Sequence, residues 1–267
     1  MLHSPKWFQR RYTMMLQNVC NNMPPGWAVQ VFYINEGGSR TGLHINPGIE
    51  RLVRAGKVVL TEIPRRVWYK KKRRSDYFLD PWLWENMLAE KVLLFGGGTV
   101  LCSNSLLTVR NFTSFDYVGS PWSAFRGRGG SGEISMRTRS VMLDAIHTQL
   151  GKANITEGFT DAWGLEDQFF VRSIIDFVDA GRPLKLASRE DSKMFAASNG
   201  HHTLEVFSAS GTLSGLSDKE RSEFFDYCPE IKVIFPSLHN PGCFGANLQR
   251  DQCARSICAL NPQKKSC

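Results

Sequence analysis

Helical and strand-like patterns alternate along the first part of the chain. Apolar residues at positions 8, 12, 15, 16 and 19 have the spacing of a helix over 7–21, and residues 27–34 then alternate as a strand does. Asn46-Pro47 predicts a helix that runs to Arg54, and residues 58–63 predict the next strand. This alternation favours an α/β fold with an open, mainly parallel sheet covered by helices on both faces. The 267 residues suffice for one such domain.

A further strand pattern leads directly into a run of glycines. Residues 91–95, Lys-Val-Leu-Leu-Phe, are almost wholly apolar, which predicts a short strand buried on both faces. Gly96, Gly97, Gly98 and Thr99 follow at once. Loops that leave the carboxyl ends of central strands bind ligands in open α/β sheets, and glycines let the backbone approach a ligand closely. The other interpretation is that these glycines form only a tight turn.

Two adjacent acids lie in the stretch Trp-Gly-Leu-Glu-Asp-Gln-Phe-Phe at 163–170. Trp163 and Gly164 predict a turn that opens a helix reaching about Ala180, with Glu166 and Asp167 in its first turn. The positive end of the helix dipole keeps such carboxylates ionised, and a carboxylate so placed can act as a base. The alternative is that both acids only stabilise the helix end.

A glycine-rich stretch precedes that helix. Residues 126–132 contain too much glycine for regular structure, which predicts either a mobile lid or a series of tight turns. Residues 133–136 return to a strand pattern, and Thr138 predicts the cap of a helix through Leu150. Further along, residues 76–90 predict an apolar helix with a break or a new first turn at Asp80-Pro81, and residues 231–235 are strand-like.

The chain is basic, with a formal charge of +8 and a pI near 9.2. Residues 70–74 form one basic run, which we interpret as a solvated loop; the charge also suits the phosphates of a small ligand. Nucleic acid is not an expected partner, because no aromatic-basic interleaving, zinc spacing or basic heptad accompanies the run. The sequence contains no apolar stretch of about 18 residues, the length that could span a bilayer.

Seven cysteines lie at 20, 102, 228, 243, 253, 258 and 267. None has C-x-x-C spacing, so structural zinc is not expected. The terminal cluster predicts disulfides if the protein is secretory and free thiols if it is cytosolic. Asn111-Phe-Thr and Asn154-Ile-Thr are N-glycosylation sequons, which have meaning only in the secretory pathway. We expect one domain over 1–245 and a cysteine-rich extension over 246–267.

Four blocks of sequence carry a resemblance when taken together and in order. They are Leu-Leu-Phe-Gly-Gly-Gly-Thr-Val-Leu-Cys-Ser-Asn-Ser from Leu93, Phe-Asp-Tyr-Val-Gly-Ser-Pro-Trp from Phe115, Gly-Gly-Ser-Gly-Glu-Ile-Ser-Met-Arg-Thr-Arg from Gly129, and the acid stretch from Trp163. Over roughly residues 7 to 245, the chain resembles a fungal glycosyltransferase-like family catalogued as a domain of unknown function. The last two blocks also resemble the acceptor-side and acid motifs of β-1,4-galactosyltransferases.

This resemblance implies a GT-A type fold with a twisted mixed sheet, a nucleotide-sugar donor, a glycan or other hydroxyl acceptor, and Mn²⁺ bridging the diphosphate. By position in the motif, Asp167 would be the base of an inverting transfer, and Glu166 would hold acceptor hydroxyls. Gly129, Gly130 and Ser135 would border the sugar, Arg137 would face phosphate or acceptor, and His239 would bind the metal. The donor- and acceptor-binding residues implied in all are Gly96, Gly97, Gly98, Thr99, Trp122, Gly129, Gly130, Ser135, Arg137, Trp163 and Gly164.

The sequence departs from the family pattern in two places. The Asp-x-Asp loop that holds the metal is replaced by residues 96–99, so that Mn²⁺ would need His239 and an acid from elsewhere, or the reaction proceeds without a metal. We also expect the opening strand of that fold to be missing from this sequence, because the first pattern in it, over 7–21, predicts a helix. Family members can also carry an amino-terminal membrane anchor, and with one this protein would belong to the secretory pathway, in the Golgi.

Three functional hypotheses follow. The leading one is a nucleotide-sugar-dependent glycosyltransferase. The alternative is a non-catalytic protein of the same fold that binds a glycan or a nucleotide, motivated by the missing loop and strand. A basic nucleic-acid-binding protein is the third, and it rests on residues 70–74 alone.

Overall fold

The structure, a computed structural model, describes residues 10–34, 46–69, 74–122, 128–150, 165–197, 205–210, 213 and 216–234. Within these ranges the protein is a mixed α/β structure. Its helices are α1 (Arg10–Asn22), α2 (Pro47–Arg54), α3 (Arg65–Trp68), α4 (Arg74–Phe78), α5 (Pro81–Glu85), α6 (Arg139–Leu150), α7 (Glu166–Asp179), α8 (Arg189–Phe195), α9 (Asp218–Tyr227) and α10 (Glu230–Ile234). Its strands are β1 (Val29–Tyr33), β2 (Val58–Glu62), β3 (Lys91–Phe95), β4 (Thr99–Leu101), β5 (Tyr117–Ser120), β6 (Ser131–Thr138), β7 (Ala196–Ala197) and β8 (Ser208–Ser210).

The alternation predicted for the first part of the chain is confirmed. β1 and β2 are parallel, with Val29 opposite Val58, and α2 makes the crossover between them. The α2 helix begins where Asn46-Pro47 predicts, because the Asn46 side chain accepts hydrogen bonds from the backbone N–H groups of Gly48 at 2.9 Å and Ile49 at 3.3 Å. This unit is therefore built as its caps and its apolar pattern dictate.

The prediction of one open, mainly parallel sheet is not confirmed. The described strands form three small sheets, ordered β1-β2, β3-β6-β5 and β4-β8-β7. In the second sheet β6 is antiparallel to both neighbours, with Ile134 opposite Phe95 and Arg137 opposite Tyr117. No helix is assigned in the described residues between β5 and β6, and strands joined without a crossover run antiparallel. Apolar patterning detects strands but carries no information about their direction.

Two local predictions need correction. The helix predicted over 76–90 is two short helices, α4 and α5, which are separated at the predicted Asp80-Pro81 break; Asp80 caps the second by accepting from Trp82 N at 3.0 Å. The strand predicted over 231–235 is wrong, since these residues lie in helix α10. Ile231 and Ile234 are buried while Val233 is 53% exposed, so a helical spacing, not alternation, places the apolar residues in the core.

An aromatic core surrounds the first turns of α7. Trp84, Phe169 and Phe170 are almost completely buried, and the Phe170 ring packs edge-on against both Trp84 and Phe169. This core lies between α5, α6 and α7, and it includes Tyr117 of β5, with Val92 and Leu94 of β3 packed against it. None of the helices in the described ranges is long and apolar enough to cross a membrane.

A disulfide joins two distant parts of the chain. Cys102, just after β4, is bonded to Cys228, at the end of α9, with Cα atoms 4.8 Å apart and a separation of 126 in sequence. Both residues are buried. Cys20 is a free thiol whose pKa is raised by burial. The pairing could not be predicted from spacing, and the cysteines after residue 234 lie outside the described residues, as does the boundary predicted at 245.

Removing this disulfide is expected to destabilise the fold. The double replacement Cys102→Ala with Cys228→Ala should lower the free energy of unfolding by about 2–4 kcal/mol, because the bond restricts the unfolded chain over a long loop. Urea denaturation measures the effect, with Cys20→Ala as the control that leaves the bond intact. Free thiols at both positions in the unreduced protein, detected by alkylation and mass spectrometry, would show that the bond does not form.

Candidate active site

The predicted acid pair lies at the start of helix α7, as its sequence indicates. Glu166 and Asp167 are the first two helical residues, and Leu165 at the N-cap offers no side-chain acceptor to the free N–H groups. Asp167 fills this role in part, since its Oδ1 accepts from Gln168 N at 2.8 Å. Both acids are buried, with exposed fractions of 8% and 4%. Burial distinguishes them from ordinary helix-end acids, which are solvated.

Asp167 also binds the neighbouring strand. Its Oδ2 accepts a hydrogen bond from the backbone N–H of Gly132, in β6, at 2.9 Å. Burial, together with the nearby charge of Glu166, raises the pKa of Asp167, while the bond from Gly132 and the charge of Arg137 oppose this shift. A raised pKa makes this carboxylate a stronger base than a solvated aspartate.

Glu166 is paired with a fully buried arginine. Arg137 Nη2 donates to Glu166 Oε1 at 3.1 Å, and Arg137 Nε donates to Ser135 Oγ at 2.9 Å. Ser135 and Arg137 are two positions apart on β6 and therefore face the same side of the sheet. The exposed fraction of Arg137 is 0%, and its Nη1 has no hydrogen-bond partner among the described residues. The guanidinium thus fixes the Glu166 carboxylate beside Asp167.

Four aromatic rings enclose the Arg137 guanidinium. Its central carbon lies 4.8 Å from the Tyr117 ring centroid and 5.2 Å from that of Phe170, with Phe78 at 5.6 Å and Trp84 at 5.9 Å. Rings at these distances attract a desolvated cation. The cage accounts for the burial of a charge that has only one carboxylate partner.

Glycines allow the backbone to pass this close to the acids. A Cβ atom on Gly132 would lie 2.5 Å from both Arg137 Nη2 and Glu166 Oε1, and 3.2 Å from Asp167 Cβ. Gly129 and Gly130 have φ of +82° and +109°, and a Cβ on Gly130 would meet the Gly119 and Ser120 carbonyl groups. Gly119 N donates to Gly129 O at 2.7 Å. The prediction that this glycine-rich segment lacks regular structure needs correction, because Ser131 and Gly132 belong to strand β6 and Gly130 lies against the backbone of β5.

Sequence reasoning missed three residues of this arrangement. Gly132 donates to Asp167, Gly119 packs against the backbone of Gly130, and Tyr117 supplies one ring of the aromatic cage around Arg137. The Tyr117 hydroxyl donates to Gly130 O at 3.1 Å, and burial raises its pKa. Gly132 could have been recognised as a site residue, because it follows two glycines and a serine and lies shortly before Ser135 and Arg137. For Tyr117 the sequence contains no signal beyond its position in a predicted strand.

The triple glycine turn lies at the same end of the sheet as the acid pair. Phe95 pairs with Ile134, so the residues after β3 and the residues at the start of β6 lie side by side. The turn is tight, with Thr99 N donating to Gly96 O at 3.2 Å and Gly96 N donating to Thr99 Oγ1 at 3.3 Å. A Cβ on Gly97 would lie 3.0 Å from the Tyr12 ring, which covers the turn.

The remaining predicted site residues are only partly described. Trp122 is half-buried and packs against the aromatic core. Trp163, Gly164 and His239 lie outside the described residues, as do residues 70–73 of the basic run. In the part of the chain that the structure describes, no group of three His, Cys, Asp or Glu residues could hold a metal ion.

The fold and the site define a mixed α/β protein with a buried acid pair, held at a helix start by an arginine of the adjacent strand. Residues 57–210 match the family described as "Protein of unknown function (DUF5672)". This match covers more than half of the 267 residues, and the chain belongs to this family. Comparison with curated proteins and with solved structures found no match.

Adding one methyl group to the site is expected to disturb it. Gly132→Ala places a Cβ against the Glu166–Arg137 ion pair, so we expect a loss of about 1–3 kcal/mol in the free energy of unfolding, the usual cost of overpacking. Thermal or urea unfolding measures it, with Ser131→Ala as the neighbouring control. Equal stability of Gly132→Ala and the native chain would mean that the ion pair is not in contact with this backbone.

Proposed function

We propose that this protein is a glycosyltransferase that moves a sugar from a nucleotide-sugar donor to a hydroxyl acceptor, with inversion and with Asp167 as the base. The observation that carries the proposal is the buried acid pair of α7. Asp167 has a raised pKa, and it lies at the same end of the β3-β6-β5 sheet as the glycine turn at 96–99. The resemblance of four ordered sequence blocks supports the same chemistry.

The reaction requires one carboxylate. Asp167 takes the proton of the acceptor hydroxyl as its oxygen forms a bond to the anomeric carbon, and the bond from that carbon to the diphosphate breaks, with the electron pair leaving on the nucleoside diphosphate. Glu166 holds neighbouring acceptor hydroxyls. Arg137 acts through Glu166, because its guanidinium is enclosed and donates to that carboxylate. Ser135 positions Arg137 in turn.

A metal ion enters this scheme only as an implication of the resemblance. The described residues do not fit Mn²⁺, since the loop after β3 carries no carboxylate and no three-ligand group is present among them. No step is therefore assigned to a metal. If Mn²⁺ is bound, it would be held by His239 with an acid from elsewhere, and it would stabilise the leaving diphosphate.

A panel assay tests the proposal. The purified chain is incubated with UDP- and GDP-sugars and with sugar acceptors, once with Mn²⁺ and once with EDTA, and released nucleoside diphosphate is measured. We expect release from at least one donor, and the EDTA series decides between the two metal alternatives. A folded protein that neither hydrolyses nor transfers any sugar in either series would overturn the proposal.

The second candidate is a non-catalytic protein that binds a nucleotide or a glycan. Burial of the acids favours it, because Asp167 is only 4% exposed and Glu166 is already paired with Arg137. It predicts that nucleotide sugars raise the melting temperature without being consumed. Turnover in the panel assay would exclude it.

The acid limb of the pH–rate profile is expected to respond to Glu166. The charge of Glu166 helps to raise the pKa of Asp167, whereas Arg137 lowers it. Glu166→Gln removes the first effect and keeps the second, so the pKa of Asp167 falls and the base stays ionised to lower pH. The acid limb of kcat against pH should therefore move to lower pH. A limb that stays in place or moves upward would show that another group controls it.

We place this activity in the secretory pathway, in the Golgi if a membrane anchor precedes the chain. The Cys102–Cys228 disulfide supports an oxidising compartment. Asn111, in the sequon Asn-Phe-Thr, is exposed, and its side-chain oxygen accepts from Thr108 N at 2.8 Å. Its amide nitrogen is the atom that a glycan would modify.

A further inference from the structure

A short 3₁₀ turn before strand β5 carries one of the two N-glycosylation sequons. It spans Val109–Phe112, with Thr108 before it and Thr113 after it, and we call residues 108–113 the sequon turn. Because a 3₁₀ turn has three residues per turn, Val109 and Phe112 lie on the same side of it. Both are buried, with exposed fractions of 0% and 3%, whereas Asn111 is exposed. The sequon turn therefore presents its asparagine to solvent.

Aromatic packing fixes the sequon turn on the body of the protein. The centroid of the Phe112 ring lies 5.0 Å from that of Phe195 and 5.7 Å from that of Phe207. Aromatic pairs at these separations stabilise a core beyond the effect of burial alone. Phe112 is the middle residue of the sequon Asn-Phe-Thr, so its anchoring holds Asn111 at a fixed place on the surface.

Hydrogen bonds orient the side-chain amide of Asn111. Its Oδ1 accepts from Thr108 N at 2.8 Å and from Thr108 Oγ1 at 3.2 Å. Because a backbone N–H can only donate, this contact identifies the amide atom beside it as the oxygen. The Nδ2 atom donates to no group in the part of the chain that the structure describes. The oxygen is thus engaged within the turn, and the nitrogen is left for a bond to another molecule.

The sequon meets the chemical requirements for N-glycosylation. The motif needs a hydroxyl two residues after the asparagine and any residue except proline between them. Thr113 supplies the hydroxyl, which donates to Arg110 O at 2.9 Å, and Phe112 is the residue between. An N-linked asparagine also keeps its side-chain oxygen, so a glycan on Nδ2 leaves both bonds from Thr108 intact.

The disulfide bond supplies independent evidence for the compartment. Cys102 and Cys228 are bonded to each other, and such bonds form and persist in oxidising compartments. N-glycosylation takes place in the secretory pathway, which is oxidising. The inference therefore rests on the secretory location proposed above, but it does not depend on sugar transfer by the acid pair.

We propose that Asn111 carries an N-linked glycan. In the transfer, Nδ2 of Asn111 forms a bond to the anomeric carbon of an oligosaccharide, and the bond from that carbon to a lipid diphosphate breaks. The electron pair of the broken bond leaves on the diphosphate, and the amide loses one proton. The glycosylating enzyme of the host provides the lipid-linked donor and accepts the proton. The other sequon, at Asn154, lies outside the described residues.

The sequon turn and the acid pair lie on opposite faces of the β3-β6-β5 sheet. Val109 and Phe112 belong to the same core as Val118 of β5, whereas helix α7 packs in the core that contains Tyr117. Tyr117 and Val118 are successive residues of one strand, so their side chains point to opposite faces. The glycan on Asn111 therefore leaves the face that carries the acid pair open.

Peptide mapping of the protein purified from its own cells tests the proposal. Peptide N-glycosidase in isotope-labelled water removes an N-linked glycan and leaves a labelled aspartate where the modified asparagine stood. We expect this label at Asn111 in most of the purified chains. A sample in which the Asn111 peptide is unlabelled and unmodified would overturn the proposal. Failure of the panel assay for sugar transfer would leave the result at Asn111 unaffected.

Variants made in a secreting eukaryotic host identify the modified residue. All of them carry Asn154→Gln, so that a single sequon remains. Asn111→Asp keeps the oxygen that accepts from Thr108 but lacks the amide nitrogen, and Thr113→Val lacks the hydroxyl at nearly the same size. Both should lose the gel-mobility shift that peptide N-glycosidase abolishes, and the control Thr113→Ser should keep it.

Retained and secreted protein are analysed together, because the glycan is added when the chain enters the secretory pathway and a poorly folded variant still reports its modification. A shift that persists in Asn111→Asp, or one that is absent from the parent with Asn154→Gln alone, would show that Asn111 is not the modified residue.

Discussion

Replacing Asp167 by asparagine is expected to lower kcat for sugar transfer by about a hundred- to ten-thousandfold, the usual contribution of a general base. The asparagine side chain would have nearly the same size as the aspartate but could not accept the proton of the acceptor hydroxyl. Donor binding should change little, because the diphosphate and the nucleotide do not depend on this carboxylate in the proposed scheme. Steady-state kinetics and donor titration measure the two quantities separately.

The matched control is Asp176→Asn, an exposed acid on the same helix. It should leave kcat unchanged. Unfolding of Asp167→Asn as a function of pH separates catalysis from stability. Since the folded pKa of Asp167 is raised, its ionisation destabilises the fold as pH rises through the interval between the ordinary and the raised value. The asparagine variant lacks this dependence. Unchanged kcat in Asp167→Asn would remove this residue from the role of base.

Local chemistry made helix α7 and its acids predictable. Carboxylates in a first turn and apolar residues at helical spacing have their effects within one element, so the start at Glu166 and the buried face with Phe169 and Phe170 follow from the sequence alone. The same holds for α2, whose cap is encoded in Asn46-Pro47. Elements that are determined by local interactions can be predicted without knowledge of the rest of the fold.

Contacts between distant residues were not predictable. Arg137 was expected to face a phosphate or an acceptor, and nothing in a single sequence shows that rings from four separate elements enclose it. The antiparallel pairing of β6 with β3 and β5 and the Cys102–Cys228 bond are equally non-local. The apolar pattern of residues 91–95 correctly predicted a strand, but burial on both faces is not confirmed, since all five residues of β3 are only half-buried.

Arg137→Met is expected to lower the free energy of unfolding by about 3–5 kcal/mol, as removal of one partner from a buried ion pair usually does. Methionine fills much of the space between the aromatic rings, so the main loss is electrostatic. Glu166 is only 8% exposed, and its carboxylate would be left beside Asp167 without the arginine that it pairs with. Urea denaturation measures the loss. The acceptor KM should rise as well, because Glu166 is no longer held.

The double variant Arg137→Met with Glu166→Gln distinguishes the origins of that loss. If the cost of Arg137→Met lies in an uncompensated carboxylate, neutralising Glu166 should restore most of the stability, and the double variant should be more stable than the single one. If instead Arg137 stabilises the fold through the rings and Ser135, the two losses should simply add. Additive losses would contradict the role of Arg137 as the group that neutralises and positions Glu166. Other contacts would then have to hold the acid pair in place.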